Sequence, residues 1–213
     1  YRFNGTAGQR LYFDARPGAF NNGDGGSRLT IYGADNAVRG GNYLVNHPDN
    51  TDFDVVLPYT GQYTVVASGG STAGAFDYAF RAIDLDAAQP LTLGATVTDT
   101  LNPGSSALAY KFTGTAGQRL YLDALQQDGD SVNLRLISPS GNAVVGDGDS
   151  DSDRGLVQLP ETGTYYLTAR GRQNSAADFS FRLLDAAAQP AVALNTTVTG
   201  SLKKTWMFVF AAT

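Results

Sequence analysis

The sequence contains no cysteine and very little histidine, lysine or glutamate. The absence of cysteine from 213 residues excludes disulfide bonds and thiol chemistry. His47 is the single histidine and Glu161 the single glutamate, so the side chains that build zinc sites and nucleophilic triads are nearly missing. This shortage of residue types predicts a protein without enzymatic activity and without catalytic residues.

Positive charge and long apolar runs are also scarce. Only three of the 15 basic residues are lysines, and the net charge is −5. Because the basic residues form no stripe along the chain, we expect no nucleic-acid partner. No apolar run reaches the roughly 18 residues of a membrane-spanning helix, so we expect no membrane insertion. A chain without cysteine fits many secreted bacterial proteins, but this feature alone indicates no compartment.

The abundant residues are those of strands and turns, including 25 glycines, 11 tyrosines and 11 phenylalanines. Apolar side chains alternate with polar ones at a period of two, which is typical of half-buried strands. The alternating series are Tyr1/Phe3, Leu11/Phe13, Leu29/Ile31, Val55/Leu57, Tyr63/Val65/Ala67, Tyr78/Phe80/Ala82, Tyr110/Phe112, Leu120/Leu122, Leu134/Leu136, Val157/Leu159, Tyr165/Leu167/Ala169 and Phe179/Phe181/Leu183. Turn residues follow each series, which predicts an all-β protein built from antiparallel β-sandwiches. The Ala-rich segments Asp84–Ala88 and Asp185–Ala188 are each expected to form one helical turn.

The second half of the chain repeats the first half. The segment YRFNGTAGQRLYFDA at 1–15 returns as YKFTGTAGQRLYLDA at 110–124, with 12 of 15 positions identical. Further repeats follow in the same order: LPYTGQY and LPETGTY, FDYAFR and DFSFR, and AAQP in both halves. A copy of about 100 residues has the size of a whole domain rather than of a solenoid repeat. We therefore expect two tandem domains of the same fold.

The AAQP segments mark the predicted domain boundaries. The first domain spans residues 1–90, the second spans 91–190, and a C-terminal segment covers 191–213. The second domain begins with LTLGATVTDTL, and the C-terminal segment begins with the similar AVALNTTVTGSL. The first copy shows no such opening strand before its Y-R-F strand, so we expect it to lack one strand. The C-terminal segment is either a donor strand or the start of a third copy.

The repeated motifs resemble a known family. The run Y-x-F-x-G-T-A-G-Q-x-L-x-x-D, then N-A-V, L-P-x-T-G-x-Y and D-[FY]-x-F-R, is similar to the bacterial pre-peptidase C-terminal domain, and both copies carry it. The resemblance implies a jelly-roll-like β-sandwich, often in tandem, within secreted proteases, adhesins and other large surface proteins. It therefore implies that this chain lies outside the cell or at its surface. Such domains are usually non-catalytic, and some relatives bind calcium or collagen. No protease accompanies the two copies in this chain.

Two acidic segments are candidate calcium sites. The run GDGDSDSD places carboxylates at alternate positions of a Gly/Ser segment, where they can converge on one hard cation; the residues are Asp147, Asp149, Asp151 and Asp153. The corresponding segment of the first copy holds Asp49, Asp52 and Asp54, with His47 and Asn50 beside them. Two solvated acidic loops are the alternative. Calcium is the only cofactor that the sequence indicates.

The segments LPYTG and LPETG match the pattern of a sortase signal. A sorting signal requires an apolar segment and a basic tail after it, whereas a strand follows each of these segments. We therefore interpret them as turns. The tyrosine two residues after each glycine, Tyr63 or Tyr165, is expected to form a tyrosine corner that fixes the edge of a sandwich.

The end of the chain suggests how copies of this protein assemble. An apolar strand without a partner is an aggregation hazard, and the predicted donor residues are Thr197, Val198, Thr199, Leu202, Trp206, Phe208 and Phe210. We predict that they enter the first sandwich of another copy at the Tyr1–Asn4 edge, with Tyr1 and Phe3 as contacts, so that copies join head-to-tail. The same pattern fits a stalk segment cut from a longer array. A calcium-dependent module that binds polysaccharide or a matrix protein is the alternative function.

Overall fold

The computed structural model describes residues 1–17, 27–44, 52–70, 78–128, 131–172 and 175–199. The described chain is nearly all-β, which confirms the predicted fold class. It divides into two compact units, of which unit 1 contains Tyr1–Ala88 with Ser105–Ala107, and unit 2 contains Gln89–Gly104 and the chain from Leu108 onward. Among the described residues, no helix is long and apolar enough to span a bilayer.

Unit 1 is built from seven described strands in two antiparallel sheets. The strands are β1 (Arg2–Gly5), β2 (Arg10–Pro17), β3 (Arg28–Tyr32), β4 (Val38–Tyr43), β5 (Phe53–Val56), β6 (Gly61–Ser68) and β7 (Tyr78–Asp84). One sheet has the order β1-β6-β3-β4 and the other has the order β5-β2-β7. The two inner faces share one core, because Phe13 from β2 clusters with Ile31 from β3 and Val65 from β6. Two sheets around one core form a β-sandwich.

Unit 2 repeats this arrangement and adds two strands before it. The strands are β8 (Gln89–Pro90), β9 (Thr96–Leu101), β10 (Ala107–Gly114), β11 (Arg119–Asp128), β12 (Val132–Ile137), β13 (Ala143–Asp149), β14 (Leu156–Gln158), β15 (Gly163–Gly171) and β16 (Ala177–Asp185). The sheet orders are β13-β12-β15-β10-β8 and β14-β11-β16-β9, so β10 to β16 correspond to β1 to β7 in the same sheet positions. The short β8 lies parallel to β10. The predicted opening strand of the second copy is β9.

The repeated GTAG and LP motifs fold together in each unit. The turn after β1 contains Gly8 at φ +82°, and the turn after β10 contains Gly117 at φ +84°, a backbone conformation that favours glycine. The Gly8 amide donates to the Leu57 carbonyl at 2.8 Å, and the Gly117 amide donates to the Leu159 carbonyl at 2.8 Å. Both leucines are buried in their cores. The two motifs are therefore repeated as a pair because each holds the other in place.

The two predicted helical turns are present as short 3-10 turns at Leu85–Ala87 and Ala186–Ala188. Asp84 and Asp185 cap them, since the carboxylates accept hydrogen bonds from the Asp86 and Ala187 amides. Strands β4 and β13 do not follow from the alternating pattern of the sequence. These segments read VRGGNY and AVVGDGD, and their glycines interrupt the alternation of apolar residues that identifies the other strands.

Candidate functional site

The acidic segment of unit 2 lies partly in a strand. Asp147 and Asp149 belong to β13, so the alternative interpretation of the run as a solvated loop does not hold for these two residues. Asp147 pairs with Arg170 at 3.4 Å, and Asp149 lies 3.9 Å from Arg172. The positive charges of these arginines balance the negative charges of the two carboxylates. The acidic segment alone does not predict this, because Arg170 and Arg172 lie in another part of the sequence.

The other two acidic residues of this segment face different partners. Asp153 accepts a hydrogen bond from the Tyr121 hydroxyl at 3.0 Å and another from the Ala124 amide at 2.9 Å. Burial, followed by this contact with Asp153, raises the pKa of Tyr121 to about 12. Asp151 accepts a hydrogen bond from the hydroxyl of its neighbour Ser152. Asp153 therefore fixes β11 from the end of the acidic segment.

The acidic segment of unit 1 makes a similar contact with a tyrosine of β2. Asp52 accepts a hydrogen bond from the Tyr12 hydroxyl at 2.9 Å, as Asp153 does from Tyr121. Asp54 lies 3.6 Å from the guanidinium of Arg10. Asp49, together with His47 and Asn50, lies outside the described residues.

Within the described ranges, no three histidine or carboxylate side chains lie close enough together to hold a metal ion. Calcium binding by Asp147, Asp149, Asp151 and Asp153, or by Asp49, Asp52 and Asp54, stays a prediction from the sequence. The repeated tyrosine–aspartate contacts give Asp52 and Asp153 a structural role that is independent of any ion.

The predicted tyrosine corners are confirmed in both units. The Tyr63 hydroxyl donates to the Tyr59 carbonyl at 2.6 Å, and the Tyr165 hydroxyl donates to the Glu161 carbonyl at 2.6 Å. Both rings are fully buried, and each stacks on the phenylalanine of the neighbouring strand, Phe3 or Phe112. The LPxTG segments therefore serve as corners that anchor β6 and β15.

Replacing Tyr63 with phenylalanine is expected to lower the free energy of unfolding of unit 1 by about 1–2 kcal/mol, because the half-buried Tyr59 carbonyl loses its donor while the ring stays in place. Tyr32→Phe is the matched control, since the Tyr32 hydroxyl makes no hydrogen bond with the described residues. Urea unfolding monitored by hydrogen exchange of unit 1 peptides measures both variants. Equal stability of the two variants would contradict a role for the corner.

The units differ at two sheet edges, because β10 pairs with β8 over two residues and β16 pairs with β9 over six residues, and the larger difference is the one at β16. In unit 2, β9 pairs with the outer side of β16 along Thr96–Leu101. In unit 1, β7 corresponds to β16 and pairs with β2, and no other strand of the described residues adjoins it. Ser105–Ala107 belongs to unit 1 and forms no strand with β7. The outer edge of β7 is therefore open within the part of the chain that the structure describes.

The open edge leaves apolar side chains accessible to water. Phe179 and Phe181 of β16 are buried, with exposures of 1% and 0%, whereas Tyr78 of β7 is 37% exposed and Phe80 is only half-buried. The ring of Tyr1 packs edge-to-face against Phe80 at 5.1 Å, and its hydroxyl lies 2.9 Å from the Tyr78 hydroxyl. Tyr1 itself is 67% exposed. An edge of this kind is a template for another strand.

The predicted acceptor residues Tyr1 and Phe3 lie two positions apart on the same side of the chain, with Tyr1 immediately before the edge strand β1 and Phe3 within it. Phe3 points inward, where it stacks on Tyr63 and contacts Phe13. β1 pairs with β6 along Arg2–Gly5. Tyr1 contacts Phe80 and Tyr78 of β7, so the predicted acceptor residue Tyr1 and the unpaired side of β7 form one surface. This surface consists of Tyr1, Tyr78, Ala79, Phe80 and Arg81.

The predicted donor residues are only partly described. Thr197, Val198 and Thr199 form no strand in the single chain, and Val198 is 63% exposed. Leu202, Trp206, Phe208 and Phe210 lie outside the described residues. The role of all seven in assembly stays a prediction.

No protein-family model and no curated protein sequence matches this chain. Solved structures with a similar fold include the pre-peptidase C-terminal domain of collagenase from Bacillus anthracis, with 18% identity, a TM-score of 0.37, and coverage of 45% of this chain and 93% of that chain. The periplasmic g-type lysozyme inhibitor PliG of Aeromonas hydrophila shows 16% identity, a TM-score of 0.35, and coverage of 45% and 95%. PliG of Salmonella Typhimurium shows 17% identity, a TM-score of 0.32, and coverage of 44% and 95%. At identities and TM-scores this low, no conclusion about function rests on the likeness.

Proposed function

We propose that this chain is a non-catalytic structural protein of the bacterial cell exterior, whose copies join when the C-terminal strand of one copy enters unit 1 of the next. The two β-sandwiches then act as rigid spacers in a fibre. A stalk of a larger surface protein has the same architecture, with its sandwiches linked in one continuous chain. The proposed absence of catalysis rests on the scarcity of nucleophile and metal-ligand residue types.

One observation carries the proposal: β16 is covered by β9, whereas the corresponding strand β7 is open among the described residues. A second TVT segment, at Thr197–Thr199, pairs with no strand in the part of the chain that the structure describes. Main-chain hydrogen bonds and alternate side chains can join such a segment to an open edge. Because the donor and the acceptor surfaces differ, the contact is head-to-tail and does not close into a symmetric dimer.

Removing residues 197–213 is expected to abolish assembly. The intact chain should form particles whose mass increases with protein concentration, while the truncated chain stays monomeric in sedimentation velocity and light scattering. Leu194→Asp is the matched control, because Leu194 is 90% exposed and precedes the donor segment. This control should assemble as the intact chain does.

Identical monomer masses for the intact and truncated chains would reject the proposal. In that case, saturable and calcium-dependent binding to an immobilised polysaccharide or matrix protein would favour the alternative function, a binding module of a secreted protein.

A further inference from the structure

Unit 2 contains a formed version of the contact that the proposed function requires. Its opening strand reads TVTDTL at Thr96–Leu101, and the C-terminal segment reads TVTGSL at Thr197–Leu202, with four of six positions identical. We infer that the outer edge of β7 binds Thr197–Leu202 of a second copy of this chain as an added antiparallel strand. This inference rests on the proposed function and assigns its acceptor strand and register.

The register follows from the strand pair in unit 2. There, Thr96 lies opposite Arg182, Val97 opposite Phe181, and Thr98 opposite Ser180. DFSFR of β16 aligns with DYAFR of β7, so the equivalent acceptor residues are Arg81, Phe80 and Ala79. The added strand therefore places Thr197 opposite Arg81, Val198 opposite Phe80, and Thr199 opposite Ala79. A shift by one residue would turn Val198 away from the core.

The apolar side chains of the two segments match this register. In unit 2, Val97 packs against the core and Leu101 is fully buried. Val198 and Leu202 occupy the same positions of the C-terminal segment. Val198 is largely exposed in the single chain, so its transfer onto Phe80 removes apolar surface of both copies from water.

Tyr1 shows what the absent strand would cover. Its counterpart Tyr110 packs edge-to-face against Phe181 and is only 2% exposed, and its hydroxyl donates to Asp99 of β9. The C-terminal segment carries Gly200 in place of Asp99, so it offers no carboxylate at this point. Tyr1 does not require one, because its hydroxyl already has the Tyr78 hydroxyl as a partner.

The strand pairs of unit 2 also indicate that the added strand forms its main-chain hydrogen bonds with β7 rather than with β1. In unit 2 the hydrogen-bonded partner of β9 is β16, whereas β10, the counterpart of β1, contacts β9 through the Tyr110 side chain. Along β7, the side chains of Ala79 and Arg81 are exposed. Arg81 is held by its ion pair with Asp14 at 3.0 Å and by a contact with the Ala107 carbonyl, neither of which is a strand pairing.

The absence of cysteine makes the register directly testable. Chains carrying only Thr199→Cys are mixed with differently tagged chains carrying only Ala79→Cys, or only Arg2→Cys on β1, and are oxidised under mild conditions. The expected result is a disulfide between the Thr199→Cys and Ala79→Cys chains, at least tenfold more abundant than one with the Arg2→Cys chains. The double variant Thr98→Cys/Ser180→Cys is the positive control, because those residues lie opposite each other within unit 2.

Other cross-linking results would separate the β7 acceptor from the proposed function. Particles that grow with concentration but link Thr199→Cys to Arg2→Cys, or to neither site, would overturn the β7 assignment and leave the proposed function standing. A disulfide within single chains of an Ala79→Cys/Thr199→Cys variant would show that the segment folds back on its own unit 1, and would overturn exchange between copies. Monomers without any cross-link would reject both proposals.

Discussion

Replacing Gly171 with alanine is expected to lower the free energy of unfolding of unit 2 by about 3 kcal/mol or more, because overpacking against rigid backbone is among the costliest substitutions. A β-carbon at Gly171 would lie 1.4 Å from the Gly104 carbonyl oxygen and 3.2 Å from Leu101 Cδ1. The oxygen belongs to backbone rather than to a flexible side chain, and Leu101 is fully buried. Either β15 or the connection between β9 and β10 must therefore shift.

Gly146→Ala is the matched control for this prediction. Gly146 lies in β13 of the same unit, and a β-carbon there would meet no atom within 4 Å. We expect a change within about 0.5 kcal/mol, as for most exposed positions. Urea-dependent hydrogen exchange of peptides from unit 2 measures both variants. Equal stability of Gly171→Ala and Gly146→Ala would show that the close approach at Gly104 is relieved without cost.

Patterns within short segments explain why so much of the fold could be predicted from the sequence. Alternating pairs such as Leu11/Phe13 and Leu120/Leu122 identify strands whose inward faces are buried, because side chains on a strand point alternately to opposite faces. The tyrosine corners were also predictable, since a turn motif and a tyrosine at a fixed distance act within four residues. Local chemistry of this kind is fully contained in a short segment.

The features that escaped prediction depend on distant parts of the chain. Asp147 and Asp149 look like loop ligands in isolation, and only the pairing of β12 with both β13 and β15 brings Arg170 near Asp147. The repeat predicts that the first copy lacks a strand, but it does not predict which strand lies beside which, because a period of two does not encode strand order. The Tyr1–Asn4 acceptor edge stays a prediction, and the structure adds that β7 also has an unpaired side among the described residues.

Removing the arginine from a repeated buried ion pair is the second large effect that we expect. Asp123 on β11 is 1% exposed and pairs with Arg182 on β16, as Asp14 pairs with Arg81 in unit 1. Arg182→Met should lower the free energy of unfolding of unit 2 by about 2–3 kcal/mol at pH 7. The loss stays below the range for fully buried pairs because the Arg182 side chain is 40% exposed, so water reaches this site.

The pH dependence of this loss separates the ion pair from simple packing. Burial raises the pKa of Asp123, and the Arg182 guanidinium opposes that rise. Without Arg182 the folded-state pKa of Asp123 rises further above its value in the unfolded chain. A raised pKa disfavours the folded state as pH increases, so the deficit of Arg182→Met should be largest at pH 7 and should shrink as the pH falls toward 4.

A double substitution tests whether the unpaired carboxylate is the cause. Asp123→Leu combined with Arg182→Met removes both charges and should recover most of the stability lost in the single Arg182→Met variant, because no buried charge is left without a partner. Arg182→Lys keeps a positive charge near Asp123 and should lose less than Arg182→Met does. If the Arg182→Met deficit were the same at pH 4 and pH 7, and the double variant recovered nothing, Arg182 would act by covering β16 with its aliphatic stem rather than by balancing the Asp123 charge.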